Sequence, residues 1–174
     1  MRIYRWIFLK YSCYVLLGML LFHLQSAPYF LNIAGIRPMP VIALAFAVAL
    51  EERELAGGLF AIFCGYLCDL FSYTSMGYYM MMLFALCVAA GLIVHNYLRS
   101  SWPISFLVTL LGMLLCRFVL LFFRYLLPGV PCSWYEFISR DLPMSLYTAV
   151  LAIPLYFLVR YLHNSAIHRT ETRF

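Results

Sequence analysis

Apolar residues dominate this chain in long runs, and the polar residues fall mostly in the short breaks between them. A hydrocarbon core about 30 Å thick needs roughly 20 apolar residues in a helix to cross it, somewhat fewer where the helix is local or the bilayer thin. On that measure the pattern predicts six membrane-spanning helices, at residues 6–25, 38–50, 55–71, 77–98, 103–127 and 142–162. The second is short. Pro38 to Leu50 is 13 residues, about 20 Å at 1.5 Å per residue, so it is expected to be tilted, thinned or re-entrant. Omitting it would leave five crossings and carry the basic tail, Arg160 to Arg173, to the side opposite the basic N-terminus. The charge pattern therefore retains it.

The breaks leave almost no soluble mass, the longest running from Pro128 to Asp141. A catalytic domain outside the bilayer is excluded by length. The expected fold class is an all-α integral membrane protein, a single polytopic domain over residues 1–174 with both termini cytoplasmic. The first run follows Arg2, Arg5 and Lys10, as in a secretory signal, but Gln25 to Pro28 has no small-x-small cleavage site. With a length sufficient to span, it is read as a retained transmembrane helix.

Composition sharpens this picture. With 66% hydrophobic and 11% charged residues and a mean hydropathy of +0.91, the chain departs from any ordinary soluble domain. Its net charge of +5 is split between two juxtamembrane ends, which points to anionic lipid and topology, not to nucleic acid. With both ends inside, the inner face carries Arg2, Arg5, Lys10, Arg53, Arg99, Arg160, Arg169 and Arg173, against Arg37 and Arg140 outside. Tyr4, Trp6, Trp102 and Tyr161 then mark the inner interface, and Tyr73, Tyr78, Trp134 and Tyr135 the outer one. One inner turn runs against the rule: Glu51, Glu52 and Glu54 flank Arg53. It reads as a solvated hairpin or as a docking spot for a basic partner.

The candidate chemistry is sparse. Asp69 is the one carboxylate inside a long apolar run, Leu55 to Phe71. An ionisable group in hydrocarbon costs about 2.5 to 3.5 kcal/mol on insertion scales, so it faces a packed interior, a partner or water. Arg117 lies 14 residues past Pro103, as Asp69 lies 14 past Leu55, in two segments that run in the same direction. At about 21 Å from their inner ends the two share a depth, which predicts a buried Asp69–Arg117 ion pair, in contact directly or through one water. Arg124, on the same face of the fifth segment, would reach the outer interface. Gly57, Ala61 and Gly65 precede Asp69 at four-residue steps, a small-residue stripe that permits close helix approach, either within the chain or to a partner.

Other residues read as packing. Cys13, Cys64, Cys68, Cys87, Cys116 and Cys132 form no C-x-x-C framework, and five of them fall in apolar segments. Cys64 and Cys68 share a helix face, yet two thiols without a third ligand make a poor metal site. His23 and His95 sit near segment ends, where an imidazole reaches water. No paired intramembrane aspartates, Ser/His dyad, H-E-x-x-H, Walker loop or dinucleotide fingerprint is present in the sequence. No catalytic, metal or cofactor residue is therefore assigned, and no internal repeat of the transporter kind is found.

The stretch from Pro40 to Gly77 resembles the MreD family of rod shape-determining membrane proteins. The features are a proline-led apolar segment, a charged turn, glycines at Gly57, Gly58 and Gly65, the phrase GYLCDLF around Asp69, and Gly77 opening the next helix. The acidic turn and the two arginines of the fifth segment depart from any pattern known for the family. The resemblance implies a non-enzymatic scaffold of the bacterial inner membrane in the cell-elongation complex. Its implied partners are an MreC-like protein and, indirectly, MreB filaments, RodA and a class B penicillin-binding protein.

The family is also similar in fold to the substrate-binding subunits of energy-coupling-factor vitamin transporters, which supplies the rival reading. A ligand cavity would then be lined by Trp134, Tyr135, Arg124 and Glu136. For the scaffold reading, segments two and three are expected to carry the partner contact. Ala43 and Ala47 would form one flat side of the second segment and Ala45 and Ala49 another, with Arg37 to Pro40 and Ser72 to Met76 at the outer ends.

Overall fold

The computed structural model describes residues 2–27, 36–52, 54–71, 77–97, 101–126, 135 and 137–171, and every regular element among these described residues is helical. The elements are α1 (Arg2–Ser26), α2 (Pro40–Glu51), α3 (Glu54–Phe71), α4 (Tyr78–Tyr97), α5 (Trp102–Leu126) and α6 (Leu142–Glu171). A five-residue π-helical turn, Phe137–Asp141, leads into α6. Side chains are described for Phe8 onward in α1, as far as Phe123 in α5 and as far as Ser165 in α6. Arg124, Ser72 to Met76, Trp134 and Glu136, all singled out in the sequence, lie outside the described residues or side chains.

Four stretches are long and apolar enough to cross a membrane: Phe8–Ser26, Tyr78–Asn96, Trp102–Phe123 and Phe137–Ser165. They are covered by protein on one side only. On α5, Leu107, Leu111, Leu115, Phe118 and Phe122 stay exposed, a lipid-facing stripe at steps of four and three residues.

The short helix α2 is the axis of the bundle. Its sequence, PVIALAFAVALE, is apolar all round, the signature of a helix with no solvent face. Val41 to Leu50 are at most 1% exposed, and α2 touches each of α1, α3, α4, α5 and α6. Sheathed in this way, it is relieved of matching the full hydrocarbon thickness. Pro40 occupies its first turn, where a missing N–H costs nothing. The preceding Met39 N–H donates to Thr148 Oγ1 of α6 at 3.1 Å.

Glycines set the distances to this axis. A Cβ on Gly57 would lie 2.7 Å from the Ala49 Cα, and one on Gly65 2.5 Å from the Met80 Cα, so α3 packs backbone to backbone against α2 and α4. Gly58 receives Val88 and Phe84, and Gly112 of α5 receives the Phe46 ring, 2.3 Å from where its Cβ would stand. The small-residue stripe Gly57, Ala61 and Gly65 is buried inside the chain. The expectation that α2 offers a flat alanine face to a partner is corrected here. Ala43, Ala45, Ala47 and Ala49 are 0–1% exposed, because five neighbouring helices already occupy every side of α2.

Candidate functional site

The polar side chains of the bundle gather at its two ends. At the end where α1 begins and α6 finishes, Glu52 follows α2 in extended conformation, with φ −96° and ψ 164°. Its residue is 5% exposed, so the carboxylate is desolvated and requires donors. It receives them from two other helices. Lys10 Nζ of α1 lies 2.5 Å from Oε1, Tyr14 Oη donates to Oε1 at 3.1 Å, and Tyr11 Oη to Oε2 at 3.4 Å. His163 Nδ1 of α6 is 3.1 Å from Oε1 and 3.4 Å from Lys10 Nζ. The Glu52 carbonyl accepts from His95 Nε2 of α4 at 2.9 Å.

One turn residue thus ties α1, α4 and α6 to the α2–α3 hairpin. Burial works against the Glu52 charge, but the hydrogen bonds and Coulomb attraction of His163 and Lys10 outweigh it and hold the carboxyl at about 2. At this residue the acidic turn is neither a solvated hairpin nor a free docking spot. Sequence reasoning missed the role of Glu52. The available signal was Lys10, a cation inside an apolar run that had no assigned partner.

At the opposite end, Asp69 is 7% exposed near the C-terminus of α3. Its carboxylate accepts from Gly77 N–H at 3.1 Å, Tyr79 N–H at 3.0 Å and Met80 N–H at 3.2 Å. These are three of the amides that the first turn of α4 leaves without an intrahelical acceptor. The negative charge also lies against the positive end of the α4 dipole. Gly77 has φ +93°, a left-handed conformation that glycine adopts without steric cost, and this turns the chain so that its own amide joins the set. Gly65, one turn before Asp69, brings α3 close enough for the carboxylate to reach across.

Arg117 takes a different partner. Its Nη1 is 3.6 Å from Asp141 Oδ1 at the start of α6, and its Nη2 meets the thioethers of Met144 at 3.2 Å and Met39 at 3.8 Å. The expected direct Asp69–Arg117 pair is corrected: no such ion pair forms among the described residues, because the amides of α4 already fill the carboxylate of Asp69. The two side chains turn to different neighbours, Asp69 to the start of α4 and Arg117 to Asp141, Met144 and Met39.

Cys64, Cys68, Cys87 and Cys116 are buried and unbridged, and Cys13 is exposed. No trio of metal-ligating side chains gathers among the described residues.

Taken together, the sheathed central helix, the apolar outer faces and the polar groups directed at neighbouring helices define a multi-pass membrane protein whose charged residues hold its own bundle together. Residues 4–166 match the family described as rod shape-determining protein MreD. The chain belongs to that family, and so has a role in determining rod shape and a place in the inner membrane. No curated protein and no solved structure is matched.

Proposed function

We propose that the chain is a non-enzymatic membrane scaffold of the elongation complex that holds an MreC-like partner, and through it supports peptidoglycan synthesis by RodA and a class B penicillin-binding protein under MreB filaments. Family membership over residues 4–166 is the observation that carries this reading. The use of the buried charges supports it: Asp69 serves backbone amides of α4, and Glu52 serves Lys10, Tyr14 and His163. These groups give rigidity to a platform.

In this reading residues 1–174 form one polytopic domain with six membrane helices and both termini cytoplasmic, so that the Glu52 cluster lies inside and Asp69 outside. With α2 buried, the partner contact moves wholly to α3, whose exposed Leu55, Leu59, Tyr66 and Leu70 form a stripe that one transmembrane helix of a partner can cover. Affinity purification of the chain, followed by identification of co-purifying proteins, tests the proposal. Recovery of an MreC-like protein, lost with Leu59→Arg while insertion is retained, is the expected result. Recovery of an energising ATPase module or a bound vitamin would instead establish the transporter reading.

A further inference from the structure

Arg117 has more donor capacity than its surroundings use. Its side chain is 14% exposed, yet Nε is buried with no hydrogen-bond partner. Among the described residues Nη2 faces only the sulfurs of Met144 and Met39, and thioethers are weak acceptors. Asp141 Oδ1 stands 3.6 Å from Nη1, beyond ordinary hydrogen-bond distance. The edge formed by Nε and Nη2, which presents two parallel N–H bonds, therefore meets no oxygen among the described residues. A buried donor left unpaired is costly, so such a group calls for an acceptor.

The surroundings define the acceptor. Contact with Asp141 and Met144 places the guanidinium beside the first turn of α6. Arg140, exposed beside Asp141, and Arg37, exposed two residues before Met39, add positive charge there. The blocking groups are movable, since methionine is unbranched and has three rotatable side-chain bonds. We propose that the Nε–Nη2 edge of Arg117, at the junction of α2, α5 and α6, binds a phosphate oxyanion that displaces the Met144 thioether. A planar guanidinium fork matches two phosphate oxygens.

The test uses the full chain in a non-ionic detergent and follows its thermal midpoint with added phosphatidylglycerol, inorganic phosphate, or a galactosyl diglyceride that has no phosphate. Phosphatidylglycerol should raise the midpoint and the galactolipid should not. Arg117→Gln should weaken the apparent affinity by about tenfold or more, the equivalent of one charge-assisted hydrogen bond. A matching response to inorganic phosphate, also lost in Arg117→Gln, identifies the free ion as ligand; its absence identifies the lipid headgroup. Met144→Leu removes the competing thioether and should tighten the response several-fold, which keeps the test decisive if Arg117→Gln does not fold. Equal responses to phosphatidylglycerol and the galactolipid, an unaltered response in Arg117→Gln, or no gain in Met144→Leu would overturn the proposal.

Discussion

Replacing Asp69 by alanine removes the acceptor for three amides of α4 at once. Loss of a capping side chain alone costs about 1 kcal/mol. The Tyr79 residue is 1% exposed, so its amide is left without water or partner, which adds about 1 to 3 kcal/mol. Loss of the charge facing the helix dipole adds a further fraction of a kcal/mol to about 1 kcal/mol. The expected total is about 3 kcal/mol. Asp69→Asn keeps one acceptor oxygen and the shape, and should cost roughly half as much. Denaturant unfolding of the purified protein measures both, and hydrogen exchange at Tyr79 and Met80 reports whether the loss is local to the first turn of α4. A double-mutant cycle with Arg117→Leu separates the cap from the ion pair that depth alone predicts. Coupling below about 0.5 kcal/mol is expected; a coupling of several kcal/mol, or an Asp69→Ala protein as stable as the parent, refutes the capping argument.

Glu52 makes stability depend on pH in a known direction. Its carboxyl is lowered from 4.5 to about 2 in the fold, so its contribution is full above the unfolded value and disappears as pH falls from about 4.5 through 2, an effect of about 3 kcal/mol. The stability difference between parent and Glu52→Gln should be constant above pH 5 and shrink below it; a difference that grows on acidification contradicts the assignment. Gly112→Ala should be strongly destabilising, because its Cβ would stand 2.3 Å from the Phe46 ring, and Phe46→Leu should restore part of the loss in thermal unfolding. Ala47→Phe places a ring where exposure is 0% and should abolish accumulation of folded protein; a well-folded variant that loses only its partner would return the interface to α2.

The apolar runs were enough to locate the helices, because hydrocarbon leaves a chain no other way to satisfy its backbone groups without closing a barrel. They also marked α2 as unusually short, and they placed the glycines of α3 where helices meet. A run of sequence gives height along a helix through its rise per residue, which is why Asp69 and Arg117 were placed at one depth. It does not give the direction a side chain faces once helices from distant parts of the chain close around it. Asp69 met the amides of α4 across the Gly65 contact, Glu52 met Lys10 and His163 from α1 and α6, and the alanines of α2 met five helices. Those partners were decided by the tertiary structure, since a buried charge pairs with whichever donors packing brings within about 3 Å.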